Sequence, residues 1–410
     1  MEKQDGFPVY KKAKTSDLVP YARNSRTHSE TQISKIAASI KEFGFLNPII
    51  TDGNNGIVAG HGRVMAAQKL GLDELPTIDA AHLSEAQRRA YVIADNRLAL
   101  DAGWDDEMLR VELGDLDSQG FDLTLTGFDL DEISDLMADE TEGLTDDDAV
   151  PEAPEVPVTV EGDVWLLGRH RLMCGDSTSI DAVDKLMDGR KANMLHTDPP
   201  YGVDYEGVPN DHLKDAQLEA FLHDALSCAF TALAPGSNIY VWHADITSLE
   251  FISAFRSAGF KQARPPTIQW LKPSLVMSQG DYHSQNEPCL YGWKEGKGRV
   301  RVKDRKQTTI WKCDRTEDKK VHPTMKPVEL CQRAIENSSN VNGLVLDLFG
   351  GSGSTLIACE KTARDCRMME LDPKYCDVII TRWQEFTGQK ATLEASGDTF
   401  DEIAAGRMAA

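Results

Sequence analysis

Asp198-Pro199-Pro200-Tyr201 brings together the residue types that chemistry on a planar amino group needs: a carboxylate, two residues with no backbone N–H, and an aromatic ring. Consecutive prolines hold the chain extended and donate nothing. The Asp198 carboxylate and the Pro199 carbonyl are thereby left as two acceptors for one NH2 group. Tyr201 adds a flat face on which an unstacked base can lie. The apolar run Asn193-Met194-Leu195 and the polar pair His196-Thr197 precede the tetrapeptide, the pattern of a buried strand opening into a rigid loop. A strand, a proline turn and a capping Asp fit the same letters, so this stretch alone leaves both readings open.

A second string narrows the choice. Val345-Leu346-Asp347-Leu348-Phe349-Gly350-Gly351-Ser352-Gly353-Ser354-Thr355, followed by Leu356-Ile357-Ala358-Cys359, predicts a short strand, a glycine-rich turn and a helix. Gly351 and Gly353 allow close backbone approach of a ligand, and the helix N-terminus offers free N–H donors. Arg367-Met368-Met369-Glu370-Leu371-Asp372 reads as the next strand, ending in acid. A glycine turn with an acid about twenty residues on points to an adenosine-containing ligand, whose ribose hydroxyls that acid receives.

With His322-Pro323-Thr324-Met325-Lys326-Pro327 between them, the two motifs together closely resemble those of the amino-group DNA methyltransferases that use S-adenosylmethionine. The Asp-Pro-Pro-Tyr motif precedes the glycine-rich one, which is similar to the permuted order of the β class, and the resemblance spans about 159–396. It implies a doubly wound, Rossmann-like α/β transferase domain with a mixed, mainly parallel sheet. It further implies that Asp198 and the Pro199 carbonyl accept from the target amine, that Pro200 stiffens the loop and that Tyr201 stacks on a flipped base. For the cofactor it implies Asp176 near the adenine, Glu370 on the ribose and Phe349 near the sulfonium. Thr324 and Lys326 are expected at the methionine end, with Asp347, Gly351, Gly353, Thr355 and Asp372 completing the cradle. In the family resembled here the cytosine enzymes more often begin this motif with Ser, so the resemblance implies adenine N6 as the acceptor, with cytosine N4 the alternative.

Net charge is −22, an unexpected balance for a DNA-binding chain until the charge is located: residues 1–150 carry −15 and residues 151–410 carry −7. Within 292–315 nine basic residues face three acidic ones. Screening over roughly 10 Å makes remote acid largely irrelevant to a local basic stripe. Lys294, Lys297, Arg299, Arg301, Lys303, Arg305 and Lys306 are therefore the candidate phosphate contacts, in a target-recognition region of about 245–320 that the resemblance implies. Lysines on a solvated edge hairpin give the same composition.

The eight cysteines show no Cys-x-x-Cys spacing and the ten histidines no ligand spacing, so no disulfide framework and no metal is expected. No apolar run approaches eighteen residues and the start has no signal-peptide character, consistent with a cytoplasmic protein without membrane association.

The elements that must position these residues fall into segments. Residues 1–100 form a small α/β domain whose string Val58-Ala59-Gly60-His61-Gly62-Arg63 is a strand, a turn and the start of a helix ended by Gly71. It resembles the ParB/sulfiredoxin superfamily, in which such a turn can bind nucleotide phosphates, although Gly60-His61-Gly62-Arg63 departs from that family's acid and paired arginines. Residues 82–100 predict a helix capped by Ser84, with Ala90, Ile93, Ala94 and Leu98 on one face. An acidic helical segment and extended Pro-rich linker follow at 101–157, then the transferase domain at 158–396 and a tail at 397–410. A DNA methyltransferase, with double-stranded DNA and by resemblance a second copy as partners, is thus expected, as in restriction-modification. A ParB-like DNA-binding module with an inactive transferase domain is the alternative of another class.

Overall fold

A computed structural model describes residues 10–21, 26–98, 104–137, 141–205, 208–277, 281–302, 306–313 and 325–408, in two compact units, Met1–Met137 and Ala138–Ala410.

The first unit holds strands β1 (Tyr10–Lys14), β2 (Ile49–Thr51), β3 (Ile57–Ala59) and β4 (Glu74–Asp79) in the order β1-β4-β2-β3. Helices α1 (Glu30–Phe43), α2 (His61–Leu70) and α3 (Glu85–Leu98) accompany them. Ile49, Ile57, Val64, Ala67 and Leu75 form the core between α2 and the sheet. Ser84 caps α3 as expected, its hydroxyl accepting from Gln87 N while Gln87 reaches back to Ser84 N. The buried residue of α3 is Val92, however, and Ile93 and Leu98 of the expected apolar face are exposed. Two more helices, α4 (Asp106–Ser118) and α5 (Leu130–Met137), close the unit where the acidic sequence predicts helix.

Among the described residues of the second unit, ten strands form one sheet. They are β5 (Val164–Leu167), β6 (His170–Cys174), β7 (Ala192–Thr197), β8 (Leu233–Trp242), β9 (Lys261–Val276), β10 (Ser284–Trp293), β11 (Ile310–Lys312), β12 (Leu344–Asp347), β13 (Asp365–Glu370) and β14 (Thr392–Leu393). Their order is β11-β9-β10-β8-β7-β12-β13-β6-β5-β14. The central run β8-β7-β12-β13-β6 is parallel, and the strands outside it on either side begin antiparallel. Every residue of β12 is buried, as a parallel strand covered on both faces requires.

Seven helices cover the sheet: α6 (Ile180–Met187), α7 (Asp215–Ala232), α8 (Ser248–Ser257), α9 (Val328–Ser338), α10 (Ser354–Lys361), α11 (Pro373–Thr387) and α12 (Phe400–Met408). Leu195 and Leu346 share one core cluster with α6, α7 and α8, whereas Met194 and Val345 share the other with α9, α10 and α11. Alternate residues of each strand thus feed opposite layers. From β7 the chain runs through α7 to β8, and from β12 through α10 on the opposite face to β13. The crevice outside the carboxyl ends of β7 and β12 is therefore the topological switch point, where ligands of open α/β sheets bind.

Two stretches pack more closely than their composition suggests. The 397–410 tail contains α12, because Phe400 and Ile403 cover the fully buried Trp165, with Phe400 edge-on at 5.3 Å. Arg407 fastens it to Asp163 at 2.7 Å. The Pro-rich stretch after Thr141 is likewise seated on the helices of the second unit rather than extended in solvent. Thr141 N donates to Lys361 O at 2.9 Å and Leu144 N to Phe386 O at 2.8 Å. Asp147 pairs with Lys361, its carbonyl accepts from Arg382 at 2.7 Å, and Asp148 accepts from Val328 N at 2.9 Å at the start of α9. Its acids neutralise cations and cap a helix, which a composition count cannot reveal. Replacing Asp148 by Ala is expected to lower stability by about 1 kcal/mol, the usual worth of such a cap, readable as a shift in a urea unfolding midpoint.

Candidate active site

The parallel pairing aligns Val345 with Met194 and Asp347 with Met368, so the ends of β7, β12 and β13 lie side by side. Strand β6 ends beside β13, with Cys174 opposite Glu370, and Gly175 N donates to Glu370 O at 3.0 Å. The topology thus brings the Asp198 loop, the glycine turn, Glu370 and Asp176 to one edge.

A polar chain joins the first two. Thr197 Oγ1 donates to Asp347 Oδ1 at 2.8 Å, and that oxygen also accepts from Phe349 N at 3.1 Å. The Trp242 indole, which can only donate, points at His196 Nε2 at 3.1 Å, so His196 Nδ1–H donates to Thr355 Oγ1 at 3.1 Å. Burial, assisted by the nearby Lys326 ammonium, lowers the His196 pKa to about 3, so the ring stays neutral. Burial acts oppositely on Asp347, pushing its pKa up to about 7.

Gly351 and Gly353 adopt φ values of +52° and +85°, which glycine reaches without strain, and Gly353 leads directly into α10. A Cβ at Gly351 would meet open space, so the turn presents bare backbone outward. Glu370 closes the turn: Oε2 accepts from Gly351 N at 2.7 Å and Oε1 from Asp372 N at 2.9 Å. Burial raises its pKa to about 7. Asp372 caps α11 through Lys374 N, Asp176 is exposed with its carboxylate on Thr178, and Phe349 packs 5.9 Å from Phe221. Two buried carboxylates flanking an open glycine turn fit a ligand rich in hydroxyl donors.

Asp198 lies in a charged cluster that the sequence reading did not assemble. Its Oδ1 is 2.5 Å from the Tyr201 hydroxyl and its Oδ2 accepts from Lys326 Nζ at 2.6 Å. Lys326 also donates to Tyr201 Oη at 2.9 Å and pairs with Glu287 Oε1 at 2.6 Å. Lys272 holds the other Glu287 oxygen at 2.5 Å, and the Tyr201 hydroxyl is 2.7 Å from Oε1. Burial pushes the Asp198 pKa upward, with Lys326 opposing it. For Glu287 burial acts in the same direction, but Lys326 and Lys272 outweigh it and bring the pKa down to about 2. Burial tends to discharge Lys326, yet the two carboxylates hold its pKa above the ordinary lysine range. Pro199 and Pro200 are buried, fixing the loop.

Lys326, expected at the methionine end, thus faces Asp198, while Thr324 lies outside the described residues. Glu287, Lys272, His196, Thr197 and Trp242 join the site without having been singled out for it. The available signal for Glu287 is a lone acid heading the apolar run Pro288-Cys289-Leu290-Tyr291.

The basic stripe divides. Lys294 donates to the Phe230 and Leu233 carbonyls at 2.7 and 2.8 Å at the end of α7. Arg299 lies 3.7 Å over the Trp293 ring and bonds Asn238 and Tyr291 at 3.0 Å. Lys294 thus serves the end of α7 and Arg299 the aromatic strand β10, whereas Lys297 and Arg301 are exposed. Lys306 lies in a turn, and Lys303 and Arg305 lie outside the described residues. In the first unit, His61 Nε2 accepts from Tyr21 N at 3.1 Å and Arg63 is half-buried near Tyr91 and Asp95. Among the described residues no helix is long and apolar enough to cross a membrane and no His/Cys/Asp/Glu group could hold a metal.

Residues 192–381 match the N6/N4 DNA methylase family, 8–96 the ParB N-terminal domain, and 107–161 the ParB-methyltransferase HTH domain. The last match covers α4 and α5, whose sequence by itself shows an acidic helical segment without naming its fold. The chain is 47% identical over 73 residues to the ParB-like nuclease domain-containing protein YnaK of Escherichia coli K12, covering 18% of this chain and 84% of YnaK. It is 26% identical over 243 residues to the type II methyltransferase M.HpaI of Haemophilus parainfluenzae, covering 53% of this chain and 76% of that protein. The solved complex of M1.HpyAVI with SAM aligns at a TM-score of 0.41 and 21% identity, over 52% of this chain and 97% of that one.

Proposed function

We propose that this chain, which belongs to the N6/N4 DNA methylase family and carries a ParB-type N-terminal domain, methylates the exocyclic amino group of adenine in DNA after flipping the base. S-adenosylmethionine, the family's cofactor, supplies the activated methyl group. The observation that most supports the reading is the juxtaposition of the Asp198 cluster with the Gly351–Glu370 cradle across the adjoining ends of β7, β12 and β13.

The chain's own residues then have distinct tasks. An exocyclic amine is a weak nucleophile because its lone pair is delocalised into the ring. Hydrogen bonds accepted by Asp198 and the Pro199 carbonyl favour a tetrahedral nitrogen, and the carboxylate stabilises the positive charge that grows there. The Tyr201 face holds the extruded base. Glu370 and Asp347 receive hydroxyl and amine donors of the cofactor, and Gly351 brings bare backbone against it. Asp176 and Phe349 border the same edge, with Asp372 and Thr355 fixing the walls. Lys297, Arg301 and Lys306, with Lys303 and Arg305 of the same stripe but without Lys294 and Arg299, are assigned to phosphates, in a cytoplasmic enzyme that acts on double-stranded DNA and dimerises.

The preference for adenine rests on the Asp that begins the tetrapeptide. Plasmid DNA incubated with the protein and S-adenosylmethionine, then digested to nucleosides, is expected to yield N6-methyladenine by mass spectrometry. N4-methylcytosine alone would transfer the assignment to cytosine, and no methylated base would remove it.

A further inference from the structure

The Lys326 ammonium has three N–H groups and, among the described residues, three oxygen partners: Asp198 Oδ2 and Glu287 Oε1 at 2.6 Å and Tyr201 Oη at 2.9 Å. Its side chain is only 7% exposed, and the rings of Tyr201 and Trp242 lie 5.4 and 5.6 Å away. The ammonium therefore stands within hydrogen-bonding distance of Asp198, where a target amine also has to stand. An ammonium is moreover tetrahedral and cationic, as a methylated exocyclic nitrogen becomes.

We propose that Lys326, tethered by Glu287, is a positioning residue that fills the amine subsite in the free enzyme and yields Asp198 to the target nitrogen when the base enters. The inference rests on the methyl-transfer reading above. Withdrawal leaves two of the three hydrogen bonds intact, those to Glu287 and Tyr201. Lys272 occupies the opposite Glu287 oxygen, so Oε1 remains available to Lys326 throughout. While Lys326 is in place it also keeps the partly buried Asp198 carboxylate from standing without a cationic partner.

Glu287→Gln removes the charge toward which Lys326 withdraws and leaves the ammonium on Asp198. Single-turnover methyl transfer is expected to slow about 10- to 100-fold, with the KM for S-adenosylmethionine within about threefold. Adding Lys326→Met to that variant removes the occupant and is expected to recover about tenfold. A double variant no faster than Glu287→Gln, or a Lys326→Met effect confined to cofactor KM, would overturn the proposal.

The pH profile gives an independent reading should Glu287→Gln fail to fold, as checked by thermal melting. Groups facing Asp198 are Tyr201 of its own loop, Lys326 ahead of α9, Glu287 and Cys289 on β10, and Asp347 on β12. Lys272 on β9 acts through Glu287, His196 on β7 stays neutral, and Cys331 on α9 lies close by. Of these Lys326 is the cation in direct contact, so Lys326→Met should shift the acid limb of kcat/KM to higher pH by about one unit. An unchanged limb would reduce Lys326 to a structural lysine. Wild-type protein that binds S-adenosylmethionine yet methylates no DNA would defeat the underlying reading, whereas active wild type without recovery in the double variant would defeat this proposal alone.

Discussion

Asp198→Ala is expected to slow methyl transfer by about a thousandfold or more while leaving S-adenosylmethionine binding within about threefold of wild type. The size follows from removing a charged acceptor that acts on charge developing only in the transition state. Folding should survive, because Lys326 keeps Glu287 at 2.6 Å and is not stranded as an unpaired buried cation. Cofactor binding should survive because the Gly351–Glu370 contacts belong to β12 and β13 rather than to the Asp198 loop. Asp198→Asn keeps an oxygen acceptor without the charge and should fall between the two. The check is transfer of a labelled methyl group to plasmid DNA, with cofactor affinity measured separately by calorimetry. Retention of a tenth of wild-type turnover by the alanine variant would remove Asp198 from the mechanism.

The second large effect concerns Glu370. Glu370→Gln should weaken S-adenosylmethionine binding about 10- to 100-fold, the usual scale for losing hydrogen bonds to a buried charged acceptor, with little change in single-turnover rate at saturating cofactor. Burial holds the Glu370 and Asp347 pKa values near 7, and hydroxyl or amine donors favour their ionised forms. Binding should therefore release protons, so affinity rises with pH up to about 7 and then levels. The ligand-free fold behaves oppositely. For Glu370, the folded pKa of about 7 exceeds the ordinary 4.5, so its contribution to stability is full below about 4.5 and is lost as pH rises through 7. Calorimetry from pH 5.5 to 8.5 in buffers of different ionisation enthalpy would reveal the proton release. A flat wild-type profile would show that these carboxylates do not face the ligand.

The central strands and the glycine turn were legible because each is local: β7 and β12 are apolar runs, and the turn announces itself by three glycines in four positions. Local pattern also found α4 and α5 and the Ser84 cap of α3. What escaped it was pairing across long separations. Glu287 lies 89 residues from Asp198 in the chain and meets it only because β10 folds back beside β8, two strands from the Asp198 loop. Lys326 follows the Met325 end of a segment whose family pattern suggested the cofactor, whereas its ammonium points to Asp198. Lys294 and Arg299 look like free cations in the sequence, since nothing in their spacing marks the carbonyls and ring they cover. Residues 141–157 and 397–410 misled for a related reason: prolines, acids and small residues pack well when a larger neighbour, here Trp165 or Arg382, supplies the surface.

The seating of Asp147 and Asp148 has a practical consequence for dissecting the protein. A fragment cut at residue 158, where composition places the border, would strip the cap from α9 and deprive Lys361 of its carboxylate partner and Arg382 of the Asp147 carbonyl. Excision of the catalytic half has to begin upstream of Thr141, and a severed version that aggregates or loses cofactor affinity would be reporting the missing strap rather than the absence of the ParB-type portion.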